Sequence, residues 1–170
     1  MEFAVNPGLA QRLSSPNPFA LVTSWDGSKT NVMALSWWTY CSNHPLTVAV
    51  CIGNRSYSGD CIAENKEFCL CLPAEGLEKA AMEAGACSGR NRDKAAELGI
   101  ALAPAAEVAP SYVEKSSLTL ECRVKEMLSL GDHRMFIAEV AAMHTKEGLK
   151  NLMAADGYAR LSAVELCQGE

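Results

Sequence analysis

What the chain lacks narrows its function before any motif is read. No uninterrupted apolar run approaches the roughly 20 residues of a bilayer span, and Met1 to Arg12 shows no basic-then-apolar secretory pattern. The expectation is a cytoplasmic protein that binds no membrane. Basic residues do not run together: 15 Lys and Arg are scattered among 20 Asp and Glu, for a formal net charge of −5. The electrostatic footprint of a nucleic-acid binder is therefore missing, and no nucleic-acid partner is expected. There are eight cysteines but no CxxC pair, so the spacing of a zinc site is absent and no metal is expected. With 49% apolar residues and no export signal, those cysteines read as reduced, mostly buried core thiols. No GxGxxG follows a strand, which disfavours a Rossmann dinucleotide site. No internal repeat or low-complexity tract is present.

What is there fits one domain spanning 1–170, a length that supports a substantial core. The breaker cluster Ser15-Pro16-Asn17-Pro18 precedes a β-branched and apolar run, Phe19 to Trp25, and Asp26-Gly27 is a strong hairpin turn. The next strand is predicted from Thr30 to about Trp38, antiparallel to the first. Leu46 to Ile52 is almost wholly apolar, as in a strand buried on both faces. A polar turn, Gly53 to Ser58, leads into a short helix, Gly59 to Asn65, with Ser58 as the candidate N-cap. A strand at Phe68 to Leu72 and helices at Gly76 to Ala84 and Arg92 to Leu98 follow, then an irregular connection over Ala101 to Pro110. Leu118, Leu120, Cys122 and Val124 alternate with polar residues, the pattern of a half-buried strand, and His133 to His144 is its partner across a turn at Ser129 to Asp132. The tail is expected to hold a helix near Glu147 to Met153 and a strand near Tyr158 to Ala163. Hairpin-like strand order with short inserted helices points to a mainly β fold, an antiparallel β-barrel.

Four polar clusters interrupt this apolar pattern: Asn31 to Thr39 with its Ser36-Trp37-Trp38-Thr39 end, Arg55-Ser56-Tyr57-Ser58, Ser88-Gly89 followed by Asp93-Lys94, and Gly131-Asp132-His133. Sequences that break local packing rules do so most often at functional sites. In this order the four clusters resemble the flavin reductase-like family, with its FMN-binding split β-barrel, and most closely its flavoredoxin branch. The resemblance runs from about Asn17 to His144. The segment departs from the family pattern at Asn91-Arg92, where a more hydrophobic or acidic filler is expected.

The resemblance implies that Asn31, Met33, Ser36, Trp37 and Thr39 line the ring and ribityl chain of flavin mononucleotide (FMN). It implies that Arg55, Ser56, Tyr57, Ser58 and Ser88 hold the phosphate, that Lys94 reaches the same anion or the ring edge, and that His133 contacts the flavin or an incoming nicotinamide. Read without the family, Arg55 and Lys94 are ordinary solvated charges, Ser56 and Ser58 are turn formers, and His133 satisfies a loop carbonyl. Trp37 and Trp38 point to opposite faces of a strand, so at least one is core or interface. Asp60 is expected to face solvent, because it would repel a phosphate. Two functions follow from the resemblance: an enzyme that transfers hydride from NADH or NADPH to flavin, as a flavin or ferric reductase, or an electron carrier with tightly held FMN. Both imply a homodimer and a redox-protein or monooxygenase partner.

Overall fold

The computed structural model describes residues 5–165. In chain order the elements are α1 (Pro7–Leu13), β1 (Asn17–Pro18), β2 (Ala20–Trp25), β3 (Thr30–Leu35), β4 (Trp38–Asn43), β5 (Leu46–Gly53), α2 (Tyr57–Asn65), β6 (Glu67–Pro73), α3 (Glu78–Ala86), α4 (Lys94–Glu97), β7 (Leu102–Ala103), β8 (Tyr112–Val113), β9 (Ser116–Leu130), β10 (His133–Thr145), β11 (Asn151–Ala155) and β12 (Arg160–Val164). Seven strands form one antiparallel sheet in the order β3-β2-β6-β9-β10-β5-β4, and β1-β11-β12 form a second, smaller one.

The chain connectivity forces the large sheet to roll. Its two edges are β3 and β4, yet only Ser36 and Trp37 join them. A flat seven-stranded sheet is about 29 Å wide at about 4.8 Å per gap. Three Cα steps reach about 11 Å at most. The sheet therefore curls until its edges nearly meet, and Ser36-Trp37 bridges the remaining split. This is the antiparallel barrel expected from the strand order, split as the resemblance implies.

Alternation along the strands serves two cores. Ala20 and Val22 of β2 and Phe68 and Leu70 of β6 pack with Val48, Val50, Leu120 and Phe136 in one cluster. Their neighbours Leu21, Cys69 and Cys71 pack in the other, against Ala81 and Ala84 of α3, Ala95 of α4 and Leu152 of β11. A period of two residues sends alternate side chains to opposite faces, and here both faces are covered. Burial pushes the Cys71 thiol up to about 11 and raises those of Cys69 and Cys122 further, so these three are inert packing groups. The seven described cysteines are all free; Cys167 lies outside the described residues.

Several expectations are corrected. The strand predicted from Thr30 to Trp38 ends at Leu35, and Trp38 starts a new strand on the far edge of the sheet. The predicted helix near Glu147 to Met153 is instead β11, paired with β12 and β1. The helix expected from Gly59 begins at Tyr57, and its N-cap is Ser56, not Ser58. Strand β9 is not half-buried throughout: Thr119 and Glu121, on its supposedly polar face, are buried too. There the segment after β7 lies over the sheet, and Glu121 accepts from the N–H groups of Ala106 (2.8 Å) and Glu107 (2.6 Å) and bonds His144. Helix α1 was not among the expected elements, although Asn6 and Pro7 supply an N-cap and an N1 proline. No helix among the described residues is long and apolar enough to cross a membrane. Nor does any group of three or more His, Cys, Asp and Glu among them converge as a metal cluster would.

Candidate functional site

A cleft of about 330 Å³ opens between the first turn of α2 and the last turn of α3, with β3 behind it. Its walls carry Met33 and Ala34, Arg55 to Ser58, Ala84 to Gly89, and Lys94. Glycine decides how closely these walls approach. A Cβ on Gly85 would lie 2.9 Å from the Ala34 Cβ, so glycine lets α3 press against β3. A Cβ on Gly89 would lie 1.9 Å from the Asn31 Oδ1, so the Ser88-Gly89 turn rests directly on Asn31.

Asn31 is 3% exposed and donates from Nδ2 to the Ser58 hydroxyl at 2.6 Å. Its Oδ1 is buried without a partner. An orphaned acceptor of this kind costs free energy unless a donor arrives. Lys94 is only 4% exposed, against the expectation of a solvated charge. Its ammonium donates to the carbonyls of Ala84 (2.9 Å) and Cys87 (3.1 Å) at the end of α3. That contact neutralises the negative pole of the helix and leaves one of three N–H donors free. Burial pushes the Lys94 ammonium below its ordinary range.

Across the cleft, the Ser56 hydroxyl caps α2 by accepting from Gly59 N–H at 3.4 Å and also touches the Met33 sulfur at 3.8 Å. Tyr57 donates its hydroxyl to Asp26 Oδ2 at 3.2 Å, and burial raises its hydroxyl to about 12, so it stays protonated. Asp26 is in turn fixed by N–H groups of Ser28 and Lys29 at 2.9 and 2.8 Å. Asp60 does not simply face water: it binds Arg90 and Arg134, each at 3.0 Å. Arg55 is exposed at the rim, and so is Ser88, whose hydroxyl accepts from Arg90 N–H at 3.3 Å.

The fold thus gathers Met33, Arg55, Ser56, Tyr57, Ser58, Ser88 and Lys94 at one cleft, with Asn31 against its Gly89 wall. The other predicted residues lie elsewhere. Ser36 and Trp37 sit at the barrel split, lining a small hollow of about 70 Å³ with Asn17, Gly157 and Tyr158. Trp37 is 42% exposed and stacks on His133 with ring centroids 4.7 Å apart, while Trp38 packs against the barrel core. His133 also meets Asp132 at 2.7 Å. Asn54 ties this corner to the cleft loop, through its N–H to Asp132 O and its side chain to Gly131 O, both at 2.9 Å. Thr39 is exposed on β4, bonded to Tyr40 O at 3.2 Å, and lies at neither place. The sequence reading missed Gly85 and gave no role to Gly89 and Arg90, which lie inside its Ser88 to Lys94 cluster. Gly89 had a signal, its place beside Ser88, whereas close approach of α3 to β3 is not written in local pattern.

Hydroxyls, a free ammonium proton and a helix N-terminus at one cleft suit a ligand that carries a phosphate. Comparison with known families is decisive at this point: the profile of the flavin reductase like domain matches residues 12–162. The chain belongs to the flavin reductase-like family. An uncharacterized protein of Archaeoglobus fulgidus is 32% identical over 120 residues, 71% of this chain and 67% of that one. Flavoredoxin of Desulfovibrio vulgaris is 26% identical with TM-score 0.84, covering 100% of this chain and 97% of that one. The NADH:FAD oxidoreductase of Streptomyces globisporus is 20% identical with TM-score 0.84, covering 98% and 99%, which shows a shared fold. Membership of the flavin reductase-like family gives the chain a flavin-linked redox role. The residues at the cleft fit such a cofactor in donor type and in size, since about 330 Å³ lies at the lower end of the roughly 300–1,000 Å³ usual for small-molecule sites.

Proposed function

We propose that the protein binds FMN in the α2–α3 cleft and acts as an NAD(P)H-dependent flavin or ferric reductase. One observation carries this reading: Arg55-Ser56-Tyr57-Ser58, Ser88 and Lys94, from three separate stretches of chain, converge on one cavity. Arg55 and Lys94 supply positive charge for the phosphate, Ser56 and Ser58 supply hydroxyl donors, and the amino end of α2 adds its dipole. Asn31, behind the Gly89 wall, donates to the Ser58 hydroxyl and holds it in place. Met33 offers an apolar wall, and the Trp37–His133 stack offers a flat surface at the barrel split for a nicotinamide. Bound FMN would supply the two-electron chemistry, accepting hydride from that nicotinamide. The chain's own work is to bind, orient and exclude water, so it needs no general acid or base.

Likeness to the Desulfovibrio flavoredoxin favours a second reading, an electron carrier that retains FMN and serves a redox protein or monooxygenase. Exposed Tyr40, Met127, Leu128 and Leu130 favour a homodimer that covers them. The test is to titrate purified protein with FMN, then add NADH or NADPH without oxygen. Bleaching of the bound flavin supports the reductase; binding without bleaching by either nucleotide leaves the carrier and removes the reductase. Protein that takes up no FMN refutes both.

A further inference from the structure

Residues 104–111 join β7 to β8 as a strap over the outer face of β6 and β9, and side chains of the sheet hold it down. Ala106 and Glu107 donate their N–H groups to the two oxygens of Glu121, at 2.8 and 2.6 Å. Ala109 donates to Glu67 Oε2 at 2.8 Å and Ser111 to the Thr30 hydroxyl at 2.9 Å. Glu121 is the central tether, fully buried and the only one of these side chains that takes two of the donors. Beneath the strap, Cys69 sits opposite Glu121 in the β6–β9 ladder, and its buried thiol donates to the Pro110 carbonyl at 3.4 Å. Apolar contact adds little, since the strap's Ala105 and Val108 are only partly buried against the core. A segment with few buried apolar contacts opens at lower cost than the fold as a whole.

We propose that Glu121 is a proton-operated latch: when its carboxylate is protonated, the strap lifts while the barrel stays folded, and the Cys69 thiol is uncovered. The inference does not depend on a bound flavin. A neutral carboxyl is a weaker acceptor, and one of its oxygens then carries a proton, so it no longer holds both N–H groups. The groups around Glu121 are His144 of β10, which bonds it, Glu107 of the strap, Cys122 and Arg123 of β9, and Glu67 and Cys69 of β6. Tyr112 of β8 stacks on His144 with ring centroids 4.5 Å apart. Burial keeps both thiols protonated, and Arg123 is committed to Glu67 and Glu107, so His144 is the side chain left to hold the carboxylate. Burial alone would raise the Glu121 carboxyl, but the bonds from Ala106, His144 and Glu107 hold it below 4.5 while the strap is closed. Closure is therefore at full strength above about pH 4.5 and is lost as pH falls through the closed-state value.

The test follows modification of individual cysteines by 4,4′-dithiodipyridine from about pH 7 to about pH 3, with peptide mapping, and uses glutathione as the reference for the reagent's own pH dependence. Cys122, inside the barrel, is the control for global unfolding, and circular dichroism follows the strands. Relative to glutathione, Cys69 modification should rise by up to about tenfold per pH unit as pH falls from 4.5 to the closed-state value, with Cys122 unmodified and the β signal unchanged. Glu121→Gln, whose amide has a single acceptor oxygen, should raise Cys69 modification at neutral pH at least about tenfold and flatten its pH dependence. His144→Phe keeps the stack on Tyr112 but loses the bond to Glu121, so it should raise the neutral rate less and narrow the pH interval of the rise. Cys69 modification that tracks Cys122 and loss of the β signal means that strap and barrel open together, which overturns the inference. A native Cys69 rate that does not rise with acid overturns it as well. Both of these outcomes are read on the native protein and stand even where a variant fails to fold.

Discussion

Replacing Lys94 with methionine tests the site and the fold at once. The side chains are similar in length, so packing among Ala84, Cys87 and Gly89 is kept while the charge and its donors go. Two carbonyls, of Ala84 and Cys87, lose a charged donor at 2.9 and 3.1 Å in a position only 4% exposed. Each orphaned buried carbonyl costs about 1–3 kcal/mol. Against that, methionine removes the cost of burying an ammonium, a cost visible in the lowered Lys94 pKa. The balance is a loss of about 2–3 kcal/mol, which for a chain of this size lowers Tm by about 4–12 °C. FMN should bind about 10- to 100-fold more weakly, the worth of one charge-assisted bond to phosphate. Riboflavin, which has no phosphate, should be affected little. Differential scanning calorimetry gives the first quantity and fluorescence titration the second. A variant with native Tm and native FMN affinity would refute the roles given to Lys94. The lowered pKa carries a sign as well: the folded chain gives up this proton before the unfolded chain does, at 10.5. This group's contribution therefore makes stability rise with pH between the folded value and 10.5, while phosphate affinity falls over the same interval.

Gly89→Ala places a methyl 1.9 Å from Asn31 Oδ1, so either the turn lifts or the Asn31–Ser58 bond breaks; the expected result is a loss of about 1–3 kcal/mol in thermal unfolding and weaker FMN binding. Ser56→Ala removes the α2 cap and one phosphate donor, which should cost about 1 kcal/mol in denaturant unfolding and reduce the FMN-over-riboflavin preference. Glu121→Gln leaves at least one of the two N–H groups at Ala106 and Glu107 without its carboxylate oxygen, for about 2 kcal/mol at neutral pH. Desolvation alone would raise the Glu121 carboxyl, but bonds from Ala106, His144 and Glu107 outweigh it and hold the pKa below 4.5. The native stabilisation is therefore complete above about pH 4.5 and is lost as pH falls through the folded value, so the glutamine variant should show a flatter acid limb in chemical denaturation.

Local signals in the sequence were enough for the strands that carry alternation or a continuous apolar run, for the hairpin turns at Asp26-Gly27 and Gly131-Asp132, and for the motifs of the cleft. Hydroxyls and cations that interrupt an otherwise apolar chain marked out the segments Arg55 to Ser58 and Ser88 to Lys94, but read alone they were turn formers and solvated charges, and it was the family resemblance that implied a shared site. Boundaries set by long-range contact were not. Strand β3 stops at Leu35 because the next residues must cross to the opposite edge of a rolled sheet, and nothing within the run Thr30 to Trp38 reports that crossing. The segment Asn151–Ala155 is a strand because β1 and β12 supply its hydrogen bonds, a tertiary choice that overrides its local leaning toward helix. The same distinction separates Lys94, buried against the carbonyls of a helix 10 residues earlier, from Thr39, left exposed on an edge strand. Residue type and spacing fix what each group can bond to. Which groups share a cavity is decided by sheet closure and helix docking, because those contacts join residues far apart in the chain.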